Sequence, residues 1–100
     1  MWLKIVAVHD AKAEAWLTPQ YFQAAGAAVR SFQDAANDKS TGVGAHPEDY
    51  TLFELGTFDA GTGNIEVLPS PIPLASAINL VSGSVDQVSL DQLSLLDKEA

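Results

Sequence analysis

Aromatic rings interleaved with cations are the combination in this chain best suited to hold a ligand. Trp2, Lys4, Lys12, Trp16, Tyr21 and Arg30 all fall within the first thirty residues. Rings of this kind stack on the bases of a single-stranded nucleic acid while cations follow its phosphates, each stacked base contributing about 1–3 kcal/mol. Lys4, Lys12, Trp16, Tyr21 and Arg30 are therefore the candidate nucleic-acid-binding residues. The competing use of the same rings is structural, with Trp2 and Trp16 completing a core or a dimer interface.

Catalytic chemistry has less to work with. His9 and His46 are separated by a helical segment and a loop and lack the spacing of a metal-binding pair, so no metal site is expected. Glu48, Asp49, Glu54 and Asp59 are acid–base candidates by type, but Glu48 and Asp49 precede a strand and are expected to stay solvated. The run Gly61-Thr62-Gly63 resembles the start of a phosphate-binding loop. Such a loop must feed the N-terminus of a helix, and here a strand follows, so the run reads as a hairpin turn. With no cysteine in the chain, disulfides, thiolate nucleophiles and cysteine-based metal centres are excluded. The expectation is a protein without catalytic residues or a cofactor.

Charge narrows the choice of partners. In residues 1–40, Lys4, Lys12, Arg30 and Lys39 balance Asp10, Glu14, Asp34 and Asp38, whereas residues 41–100 set nine acids against Lys98 and carry the whole net charge of −8. An acidic field repels phosphate, so contact with nucleic acid would have to use the N-terminal part. The apolar fraction of 47%, with charged residues at 18%, is that of a chain that folds. A chain of 100 residues supports a single core. Nothing resembles a signal peptide, and no apolar run nears the roughly 20 residues needed to span a bilayer, so a cytoplasmic location is expected.

The elements that must position these groups follow from periodicity. Residues 2–9 alternate Trp2, Lys4, Val6, Val8 with Leu3, Ile5, Ala7, His9, and both sets are largely apolar, which suits a central strand covered on both sides. Thr18 and Pro19 read as a helix start, and Phe22, Ala25, Val29, Phe32 and Ala36 form the apolar stripe of a helix over about 19–37, with Arg30 and Asp34 spaced to pair on its outer side. The turn formers of residues 37–47 read as a mobile loop. Tyr50 to Phe58 and Asn64 to Leu68 form a hairpin across Asp59–Gly63. Pro69, Pro71 and Pro73 are expected to carry the chain off the ladder, and residues 74–83 to form a short helix ended by Gly83. The result is an α+β domain over residues 1–83, order β-α-β-β-α, its small mixed three-stranded sheet backed by one long helix. The first two strands run parallel through a helical crossover. Residues 84–100 form an acidic, partly amphipathic tail in which Leu93, Leu95 and Leu96 are the candidate partner-binding segment. An open sheet edge and surplus rings favour a homodimer or higher oligomer.

The segments "LKIVAVHDAKAEAW", "AVRSFQDAAND" and "HPEDYTLFELGTFDAGTGNI" resemble the small nonstructural protein of gokushovirus-type microviruses, a short protein described as DNA-binding. The resemblance covers roughly residues 2–80. It implies a non-virion phage protein of the infected bacterium's cytoplasm, acting in single-stranded viral DNA synthesis or its coupling to packaging, with no enzymatic activity. Two classes of function remain open: weak contact with single-stranded viral DNA through the N-terminal part, or an adaptor for the replication initiator or procapsid proteins that never touches DNA.

Overall fold

Residues rich in Val, Ile and Ala near the N-terminus have to bury both of their faces, and the structure, a computed structural model that describes residues 1–82, does this by making them the middle of a sheet. Strand β1, Trp2–Asp10, has Ile5, Val6 and Ala7 all buried at its centre. Antiparallel partners flank it on both sides. Strands β2, Ala15–Trp16, and β3, Gln20–Phe22, lie along one edge of β1. Strand β4, Tyr50–Asp59, lies along the other and pairs in turn with β5, Ile65–Ser76. The sheet has five strands in the order β2-β1-β4-β5, with β3 also on β1, and every pairing is antiparallel.

This corrects the mixed three-stranded sheet expected from the sequence, while the α+β class stands. The physical reason lies in residues 11–22. After β1 the chain turns at Ala11–Glu14 and runs back beside the strand it has just left, with His9 opposite Trp16 and Lys4 opposite Phe22. Pro19 has no amide to give the ladder, so this return strand is interrupted between β2 and β3. The chain has already reversed before any helix begins, and no parallel crossover is needed. The helical pattern likewise starts later than Thr18 and Pro19 suggest: helix α1 spans Ala25–Ala36, with Ala24 as an N-cap that makes no side-chain bond.

One layer of helix covers one face of the sheet. Ala28, Phe32 and Ala36 of α1 pack with Val6 and Leu52 of the central strands, with Val43 and with Ala77. Phe22 joins this core from β3 rather than from the helix. The segment after α1, read as a mobile loop, is folded: Thr41 caps the short helix α2, Gly42–Ala45, by accepting from the Gly44 amide at 2.9 Å, and buries Val43 and Gly44. The expected C-terminal helix is a single 3-10 turn, Ala77–Asn79. Asn37 ties the end of this region down, accepting from the Ser82 amide at 2.6 Å and donating to the Leu80 carbonyl at 3.0 Å. Gly83 and the tail residues Leu93, Leu95 and Leu96 lie outside the described residues.

The β4–β5 hairpin forms as its sequence suggests, with Gly63 at φ +81° supplying the left-handed turn conformation. At Gly56 a side chain is excluded, because a Cβ would collide with the Glu66 carbonyl oxygen across the ladder. The prolines do not leave the sheet. Pro69, Pro71 and Pro73 lie within β5, where four residues, 68–71, bulge opposite Leu55. An edge strand tolerates this, since its outward amides have no ladder partner to lose, and a proline-studded edge resists pairing with a further strand.

Two outcomes follow from this architecture. Phe32 is 5% exposed at the centre of the core, so Phe32→Ala should lower stability by about 3–5 kcal/mol, read from the urea midpoint, a large share of what a domain of this size possesses. At the hairpin tip the Asp59 carboxylate accepts from the Gly61 amide at 2.9 Å, with the Thr62 hydroxyl and the terminal ammonium of Met1 close by, and these outweigh burial to hold its pKa below the usual value. A carboxyl depressed in the folded state adds stability above its unfolded pKa and loses it as pH falls through the folded one. Asp59→Asn should therefore flatten the loss of thermal stability below about pH 4, while an acid profile identical to wild type would remove Asp59 from that linkage.

A candidate aromatic interface on the open face of the sheet

Side chains alternate along a strand, so the registers of the ladder sort every strand residue to one face or the other. The even-numbered residues of β1, Val6 and Val8 among them, point to the helix. The odd-numbered ones, Leu3, Ile5, Ala7 and His9, point away. Opposite these last stand Phe58, Gly56, Phe53 and Thr51 on β4, Tyr21 on β3 and Trp16 on β2. Ile65 and Val67 of β5 continue the same face through their pairing with Phe58 and Gly56. No described element covers this side.

Its rings fall into two groups. At one end Trp16 lies 4.8 Å from the His9 ring and 5.1 Å from Phe53, with His9 and Phe53 6.4 Å apart edge to face. At the other, Tyr21 and Phe58 are 5.6 Å apart. The tilted and edge-on geometries are those aromatic pairs prefer. Ile5 and Ala7 are buried at 8% and 3% exposure although no helix lies over them. The rings do the covering, and they remain reachable themselves: Trp16 is 45% exposed and Tyr21 53%.

Charge is distributed between the two faces unequally. The four acids of the strands, Asp10, Glu54, Asp59 and Glu66, have registered partners Tyr50, Val6, Trp2 and Thr57, all at positions of the helix-bearing face. Tyr50 shows their influence there, since burial and then the Asp10 carboxylate push its phenol up. On the open face the strands carry no acid, and His9 is their only titratable group besides the Tyr21 phenol. A net charge of −8 had made the hairpin look hostile to phosphate, yet the hostility is one-sided.

The five residues expected to bind nucleic acid do not share a surface. Trp16 and Tyr21 lie together on the open face. Lys12 is exposed in the turn leading into Trp16, where the Asp10 carboxylate accepts from the Lys12 and Ala13 amides at 3.0 and 3.2 Å. Lys4 is on the helix-bearing face and donates to Glu54 at 3.3 Å. Arg30 is exposed on the outer side of α1 and forms no ion pair with Asp34. Phe53, Phe58 and His9 were missed as members of an interface. The signal that could have found them is the odd-numbered alternation of the first strand, read together with its partner.

Two other places gather groups without adding up to a site. His46, Glu48 and Asp49 bring one ligand atom each within 4.8 Å around a 3-10 turn, Pro47–Asp49, but His46 and Glu48 are exposed and no buried polar group supports them. A cavity of about 180 Å³ between α1 and β1, lined in part by Leu17, has no charged residue in its lining. Among the described residues no helix is long and apolar enough to cross a membrane.

Removing the Trp16 indole should forfeit two ring contacts, with His9 and with Phe53. Trp16→Ala should cost about 1–2 kcal/mol, from a ring-pair contribution of roughly 0.5–1.5 kcal/mol plus the area the indole covers. That is less than the loss for Phe32→Ala, and equal midpoint shifts in urea would contradict the division between a helix-side core and a thinner open face.

Residues 3–80 match the family described as Phage ORF5 protein. No curated protein and no solved structure matches the chain.

Proposed function

The chain belongs to the phage ORF5 protein family, and from that premise we propose that it is a non-catalytic phage accessory protein that holds single-stranded DNA against the open aromatic face of its sheet. The single observation that carries the reading is the ring set of Trp16, Tyr21, Phe53 and Phe58, of which Trp16 and Tyr21 are exposed, on a face whose strands bear no acid. Every base offers a π-face to such a platform, which makes it tolerant of sequence and suited to coating a strand. An antiparallel sheet backed by helix on one side, with aromatics on the central strands of the other, is also the arrangement by which the commonest single-strand RNA module stacks bases, and that likeness is one of architecture alone.

The finer setting extends the resemblance noted in the sequence. The protein acts in the cytoplasm of the infected bacterium, outside the virion, during the single-stranded DNA synthesis of a gokushovirus-type microvirus or its coupling to packaging. Stacking carries most of the affinity, because Lys4 is engaged with Glu54 and Arg30 faces away from the rings. Lys12 stands at the end of the sheet where Trp16 lies.

Quenching of tryptophan fluorescence by oligothymidylate tests this. Trp16→Ala and Tyr21→Ala should each weaken binding about 5- to 150-fold, the range for one stacked base. With one or two cations engaged, the slope of log K against log salt should lie near −0.7 to −1.4, and Arg30→Glu should leave it unchanged. Failure of the wild type to bind at low salt would end the reading in favour of an adaptor that contacts only proteins. If Trp16→Ala instead converts a dimer to a monomer and wild type binds no oligonucleotide, the face is a contact between copies of the chain.

A further inference from the structure

We propose that His9 is the phosphate-contacting group of the aromatic face, taking the backbone of a strand whose bases stack beside it and holding that strand more tightly when its imidazole is protonated. The inference rests on the single-strand reading above and names the residue that supplies the charge that reading lacks.

Geometry singles His9 out. It is the last residue of β1 on the open face, directly across the ladder from Trp16, with the two ring centroids 4.8 Å apart at a tilt of 58°. Phe53 stands edge-on at 6.4 Å. The imidazole packs against the Trp16 ring, itself in contact with Phe53 at 5.1 Å. Among the described residues neither of its nitrogens has a hydrogen-bond partner, although the side chain is only half-buried. Those nitrogens lie beside the exposed Trp16 ring, and a base stacked there brings its own phosphates beside them.

The strand positions around it carry no charge. Across the ladder on β4 stand Thr51 and Phe53, on β2 Ala15 and Trp16, and Ser76 of β5 pairs with Thr51; none carries a charge. Asp10, next in the chain, is on the other face, and its Oδ1 is taken by the Lys12 and Ala13 amides. The turn adds Lys12 and Glu14, one of each sign, and Glu48 and Asp49 precede β4 beyond Tyr50. Histidine as a residue type gains charge between about pH 8 and pH 5, so comparing binding across that range reads the contact.

The test measures fluorescence anisotropy of a labelled oligothymidylate of about 12 nucleotides, inside the roughly 4–16 nucleotide range of such platforms, at about pH 8 and pH 5.5. Wild type should bind about tenfold tighter at the lower pH, the worth of one hydrogen bond to a charged group. H9Q should lose that gain, H9K should bind with little dependence on pH, and H46Q, which makes no ring contact with the aromatic set, should keep the gain. A wild type that binds equally at both values, or an H9Q that gains as much as wild type, overturns the role of His9 while leaving the stacking face intact. Absence of binding at both values overturns the single-strand reading itself, and the proposal with it.

Discussion

Nine registered pairs, from Trp2 opposite Asp59 to Asp10 opposite Tyr50, hold β1 against β4. Because side chains alternate on both strands, this ladder decides at once which residues meet the helix and which meet solvent. A slip of one residue would send Val6 and Leu52 out of the core and turn Phe53 and His9 into it. The register is pinned by burial: Val6 at 2% exposure and Leu52 at 3% have no comparable alternative place. It is pinned again by the break between Ile5 and Val6, where Leu55 is extra on β4 and the strand bends. The division of acids from aromatics is a consequence of that one pairing.

The same ladder explains why so acidic a chain can present a face without acids. Strand acids at even-side positions are drawn to the helix-bearing surface, where Lys4 answers Glu54 and the hairpin amides answer Asp59. The open face is left to rings and small apolar groups. Such a face is costly to leave in water, and the arrangement lowers that cost by having the rings pack on one another over Ile5 and Ala7. The exposed remainder belongs to Trp16, Tyr21, Ile65 and Val67, a pattern that favours an interacting surface over a structural oversight.

Much of this was legible locally. The hairpin at Asp59–Gly63, the apolar positions Phe32 and Ala36 of the helix, and the central role of residues 2–9 all rest on short-range periodicity or turn chemistry, which act the same way wherever the segment lies. What misled was also local. Thr18 and Pro19 suit a helix start, but the neighbouring Tyr21 and Phe22 gain more by pairing with β1, and that gain is invisible until β1 is in place. The prolines of β5 look like strand breakers because propensity assumes a ladder on both sides; at an edge only one side exists.

The sequence by itself determined the α+β class, the absence of cysteine chemistry, the core positions Phe32 and Ala36 of the main helix and the excess of negative charge after residue 40, since each depends on residue type or on spacing within one segment. Only the tertiary structure decided the company those residues keep. Whether Lys4, Trp16 and Arg30 share a surface depends on strand register and on which side of the sheet the helix packs, and both are set by contacts between residues some fifty positions apart, such as Lys4 with Glu54. Spacing along a chain carries no information about face until the partner strand is known, and so the pairing of His9 with Trp16 beside Phe53 could be seen only in the folded protein.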